Sequence, residues 1–144
     1  MEQKYQIRYD LYKRLYGRML YRIQALKSFN DVKEGELGGY VGSEKNLSHN
    51  GSCWIYDEAC VFDKAIVTDN AKVFEDARVS DDAILSNFVK IYGNAKIYGK
   101  ANILDNAQIN DYARILDKAI IKGNIMVSAN SVVRGNTTLN DVMP

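Results

Sequence analysis

Residues 53–142 run CWIYDE, ACVFDK, AIVTDN, AKVFED, ARVSDD, AILSNF, VKIYGN, AKIYGK, ANILDN, AQINDY, ARILDK, AIIKGN, IMVSAN, SVVRGN, TTLNDV. Cut in sixes, the third place is always aliphatic, from Ile55 to Leu139. Alanine usually opens the hexad, as at Ala59, Ala65, Ala71, Ala77 and Ala83, and Asp, Asn, Gly or Lys mostly close it. Fifteen hexads follow one another with no insertion. A strict short period of this kind is the signature of a solenoid, and a period of six points to a parallel β-helix.

Within each hexad, places one to four predict a short strand and places five and six a corner. Strand side chains alternate, so places one and three share one side and places two and four the other. The alanine and aliphatic pair keeps its apolar character through the array and is assigned to the interior. Asp, Asn and Gly suit the corners, where Asn and Gly tolerate positive φ. Three strands make a triangular coil of 18 residues, so the fifteen hexads make five coils, stacked to roughly 24 Å at about 4.8 Å per strand.

Upstream, residues 2–20 place Ile7, Leu11, Leu15 and Met19 at i+4 steps beside a stripe of Tyr5, Tyr9, Tyr12 and Tyr16. This spacing predicts an N-terminal amphipathic α-helix that ends near Gly17. Met19 to Lys27 then alternates as a strand does. Residues 28–51 form a turn-rich connector whose Gly38, Gly39 and Gly42 can take backbone angles closed to other residues. The chain thus divides into an N-terminal helix, strand and capping connector, 1–52, and a hexapeptide-repeat β-helix, 53–142. Beyond Val142 only Met143 and Pro144 follow, so the last coil is expected to be covered by another subunit or a partner.

Charge is nearly balanced overall, with a formal net of +1, yet Lys4, Arg8, Lys13, Arg14, Arg18, Arg22 and Lys27 crowd the first thirty residues against Glu2 and Asp10. Such a run suits a solvated face or packing against the acidic remainder. Cys53 and Cys60 lack the spacing of a zinc site or a disulfide framework; Cys53 falls at an inward place and Cys60 at an outward one. No signal peptide and no membrane span is evident, which sets a cytoplasmic expectation. Neither a P-loop nor GxGxxG is present.

Positions 18 apart stack on one face of the prism. The first face carries Trp54, Lys72 and Lys90 beside Tyr56, Phe74 and Tyr92. The second carries Arg78, Lys96 and Arg114 as a ladder, with Phe62 and Tyr98 alongside. These residues are the candidate binding faces: rings beside cations suit a protein surface, a nucleotide or single-stranded nucleic acid. The third face shows Ile66, Ile84, Leu104 and Ile120, an apolar row expected either to hold the N-terminal helix or to self-associate into a dimer or trimer.

The motif [STAV]-x-[LIV] every six residues resembles the left-handed β-helix of hexapeptide-repeat proteins, and the handedness is implied by that resemblance. The segment LYRIQALKSFNDVKEGELGGYVGSEKNLSHNGSCWIYDEA, residues 20–59, is similar to the start of YdcK-like proteins common in phages and prophages, with a Tyr-Arg-Ile strand, a Gly-Gly turn, Glu-Lys-Asn-Leu-Ser and Cys-Trp. Many hexapeptide-repeat proteins are trimeric acyltransferases with a CoA donor and a His general base near an extruded loop. Here the one histidine, His49, lies upstream of the repeat and reads as a solvated loop residue, and no loop leaves the coils. The resulting expectation is a non-enzymatic protein-binding or structural module without cofactor, metal or catalytic residue. Its expected partner is a host or viral protein, and inhibition of a host defence system, of anti-CRISPR type, is the specific form. A divergent acyltransferase is the first alternative and a nucleotide-binding sponge the second.

Overall fold

A computed structural model describes residues 3–141. From Trp54 to Leu139 it is the expected solenoid: fifteen two-residue strands stack into three parallel sheets, each strand paired with the one 18 residues on. The first face runs from Trp54–Ile55 to Met126–Val127, the second from Cys60–Val61 to Val132–Val133, and the third from Ile66–Val67 to Thr138–Leu139. Val142, where the repeat was expected to end, lies outside the described residues. Inward places are filled as the pattern requires: alanine at place one and the aliphatic at place three are fully buried from Ala59 through Ile121. Burial then loosens to 6% at Val127 and 8% at Val133, in the last coil.

The corners are built by place five. Asp57, Asp63, Asp69, Glu75, Asp81, Asn87, Asp105, Asp111 and Asp117 all have positive φ, between 54° and 64°. Their side chains do a second task that turn propensity alone does not reveal. Each accepts the backbone N–H of the corner residue one coil on, as Asp81 accepts from Gly99 at 2.9 Å and Asp117 from Gly135 at 2.9 Å. The corner carboxylates therefore form vertical rows that satisfy donors the short strands leave unpaired.

The N-terminal helix is not there. Residues 5–25 form a β-hairpin, β1 (Tyr5–Leu15) and β2 (Arg18–Ala25), antiparallel and turned by Tyr16 and Gly17 at φ 51° and 75°. The i+4 spacing misled because four is a multiple of two. Tyr5, Ile7, Tyr9 and Leu11 also alternate with Lys4, Gln6, Arg8 and Asp10, and tyrosine and isoleucine favour strands. A register shift between Arg8 and Tyr12 then breaks the alternation and hides it further. Two positive φ values in a two-residue turn match the twist of a hairpin, and Gly17 supplies the second.

β2 pairs with β3 (Leu37–Val41), and β3 lies parallel beneath Cys60–Val61, so one eight-stranded sheet runs from the hairpin through the whole second face. Leu47 bridges Val67 beneath the third face. Residues 37–48 thereby supply most of an additional rung that covers the first coil. Gly38 and Gly39 are needed there for closeness rather than for unusual angles, since neither has positive φ. A Cβ on Gly39 would meet Ile55 Cγ2 at 2.5 Å and the Ala59 carbonyl at 2.6 Å. Cys53 points inward, and Cys60 points outward but is buried with Leu20, Tyr40 and Phe62 beneath the hairpin.

Candidate functional site

The expected binding residues fall on two faces of unequal character. On the first face Trp54 is fully buried, with Phe29 edge-on at 5.3 Å, so it serves the core and is removed from the candidate surface. Tyr56, Phe74 and Tyr92 form a ladder whose rings serve one another: Phe74 and Tyr92 stack at 4.8 Å and 6°, and Tyr56 meets Phe74 edge-on at 6.2 Å. Tyr56 donates its hydroxyl to Asp31 at 2.8 Å, and burial, with that bond, pushes its proton affinity well above the ordinary tyrosine value. Lys72 stands 4.0 Å from Asp31, which offsets its charge, while Lys90 is exposed.

The second face differs because the hairpin tip overhangs it. Tyr16 and Arg18 stand over Phe62 and Arg78 and turn a flat sheet into a groove of about 350 Å³, reaching Asp81, Lys96, Tyr98 and Arg114. The tip is fastened at two points. Arg18 ion-pairs with Asp63 and lies over the Phe62 ring at 5.5 Å. Arg78 donates to the Tyr16 hydroxyl at 2.6 Å. Residues sequence reasoning missed, Tyr16, Arg18, Asp63 and Asp81, complete this groove; the Tyr16-Gly17 pair between alternating runs was the available signal, and the helical reading absorbed it.

Arg78, Lys96 and Arg114 occupy successive rungs of the groove floor. Lys96 and Arg114 have no side-chain partner among the described residues. In the repeat array no Asp or Glu stands at place two or four, so every repeat acid lies on an edge of the prism and none on a face. Like charges directly opposite one another on neighbouring strands are destabilising. A ladder of three such cations beside the exposed Tyr16 ring and the half-buried Tyr98 ring is therefore suited to an anion that also carries a planar group.

The third face keeps its apolar row, with Ile66 and Ile84 exposed at 40% and 41% and Leu104 and Ile120 half-buried. The hairpin joins the second face instead, so the expected cover by an N-terminal helix is absent.

His49 is not a solvated loop residue. Its ring stacks on Tyr5 at 4.2 Å, its Nδ1 accepts the Lys4 backbone N–H at 3.0 Å, and its Nε2 lies 3.1 Å from Glu44 Oε1. Both ring nitrogens are thus engaged in holding the start of β1 to the connector. Close by, the fully buried Lys4 ammonium donates to the Cys53 carbonyl at 2.7 Å and to its sulfur at 3.3 Å. Burial lowers the proton affinity of Lys4 and raises that of the Cys53 thiol. This cluster ties the hairpin to the first coil.

Among the described residues no helix is long and apolar enough to cross a membrane. No family model matches the chain. Over 43 residues, 30% of this chain, it is 42% identical to a protein of Escherichia coli (strain K12) named as an uncharacterized acetyltransferase, YdcK. The likeness spans 13% of that relative's length. The expected non-enzymatic, defence-inhibiting module is overturned by this finding, because the relative carries an acetyltransferase name and that name points neither to a defence inhibitor nor to a phage. Together with the stacked coils, the likeness fits a hexapeptide-repeat β-helix, and it favours the acyltransferase alternative.

Proposed function

We propose that this chain is part of an acyltransferase of the hexapeptide-repeat type, drawing its acyl group from a nucleotide-bearing thioester such as acetyl-CoA. The groove on the second face carries the reading. Arg78, Lys96 and Arg114 offer stacked cations to the donor's phosphates, and Tyr98 and Tyr16 offer rings beside them. Charge-assisted hydrogen bonds from arginine to phosphate are among the strongest available in water-exposed sites, and base–aromatic stacking adds about 1–3 kcal/mol per base. The acetyltransferase name of the E. coli relative supports the same reading.

Titration calorimetry with acetyl-CoA tests it. The expected result is binding that weakens with added salt and falls at least tenfold in Lys96→Ala and again in Arg114→Ala, both outward positions that leave the core intact. Lys90→Ala, on the first face, should bind as the wild type does. Absence of binding, or binding indifferent to Lys96 and Arg114, would remove the proposal.

A further inference from the structure

Acyl transfer needs a group that takes the proton from the attacking nucleophile, and His49 is turned away from that task by its own hydrogen bonds. We infer that Asp81 is the general base of the groove; the inference rests on the acyltransferase reading. Two carboxylates line the groove, Asp63 and Asp81. Asp63 is used on both oxygens: Oδ1 pairs with Arg18, and Oδ2 accepts the Asp81 N–H at 3.4 Å. Asp81 uses Oδ2 alone, accepting from Gly99 at 2.9 Å, and its Oδ1 has no partner among the described residues. The next residue in its corner row is Gly99, which has no side chain to cover it. Further up that row, Asp117 caps Gly135 in the same way but lies beyond the groove.

Tyr16 already receives a hydrogen bond from Arg78, and Ser80 is a poor proton acceptor, whereas an ionised carboxylate only accepts. The cation ladder disfavours an ammonium acceptor, so the nucleophile is a hydroxyl. As its oxygen attacks the thioester carbonyl, the new C–O bond forms and the proton passes to Asp81 Oδ1. When the C–S bond breaks, Asp81 returns the proton to the leaving thiolate. The products are an ester, or the free carboxylic acid when water is the acceptor, and a free thiol, and the carboxylate regains its charge.

The structural duty of Asp81 can be kept while the base is removed. Asn87 stands at an equivalent corner and accepts the Asp105 N–H through Oδ1 at 2.9 Å, so Asp81→Asn preserves the corner bond. The assay follows free thiol released from acetyl-CoA, with water and with glucose as hydroxyl donors. Asp81→Asn should lower kcat by roughly 10²-fold or more, while acetyl-CoA binds no more weakly and the melting temperature is unchanged. Asp117→Asn, a corner outside the groove, should change none of these. Turnover in Asp81→Asn within about threefold of the wild type would overturn the assignment alone. Wild-type protein that binds acetyl-CoA but releases no thiol above the buffer rate would overturn the acyltransferase reading and Asp81 together.

Discussion

Replacing Ile97 by alanine probes the solenoid at its centre. Ile97 is fully buried and sits between Val79 and Ile115 on adjacent rungs. Truncation removes three carbons from the interior, about 2.4 kcal/mol of transfer free energy at ~0.8 kcal/mol each. The surroundings cannot close the gap, because rung bonds such as Ser80 N–H to Ile97 C=O and Tyr98 N–H to Ile115 C=O, both 2.9 Å, fix the coil spacing. A void of about 70 Å³ at ~24 cal/mol per Å³ adds about 1.7 kcal/mol. The sum, about 4 kcal/mol, corresponds to a fall in Tm of roughly 8–16 °C for a domain of this size. Lys96→Ala, the adjacent outward position, should stay within about 0.5 kcal/mol. Thermal unfolding by circular dichroism makes the comparison, and equal tolerance of the two substitutions would refute the assignment of inside and outside.

Three further outcomes follow from local geometry. Gly39→Ala drives a methyl into Ile55 and the Ala59 carbonyl, so urea unfolding should show a loss of at least 1–3 kcal/mol; a neutral result would mean that β3 does not press on the first coil. Asp111→Ala should cost about 1 kcal/mol by stripping the Ala129 N–H of its acceptor at 2.9 Å, whereas Asp111→Asn should be near neutral. The third outcome is alkaline sensitivity. Burial raises the proton affinity of Tyr5 and Tyr56 above the ordinary 10.0, so the folded chain holds protons that the unfolded chain releases. Their contribution is complete below pH 10 and is lost as pH rises beyond it, while Lys4, lowered by burial, acts oppositely up to its ordinary 10.5. Stability should therefore fall with pH above 10.5, less steeply in Tyr5→Phe, and identical slopes would contradict the burial of that hydroxyl.

Hexad spacing made the solenoid legible because one aliphatic per six residues has few structural solutions, and the interior follows it from Ile55 onward. The N-terminus was illegible for the opposite reason: apolar residues at Ile7, Leu11 and Leu15 satisfy a strand and a helix alike, and only pairing with β2 chooses. Arg78, Lys96 and Arg114 were visible as a ladder at 18-residue intervals, but the overhang that makes them a groove comes from Tyr16 and Arg18 on the misread hairpin. Place two faces outward in the repeat, a pattern that puts Trp54 on the surface; in the first coil the connector covers that place and buries it. The corner carboxylates read as turn formers, and their acceptor role becomes visible only when coils stack.

The most direct measurement is a crystal structure with CoA bound. The account predicts phosphate density within hydrogen-bond reach of Lys96 and Arg114, and the adenine against Tyr98 or Tyr16 at the hairpin tip. CoA ordered against Phe74 and Lys90 on the first face, with the second-face groove empty, would contradict it.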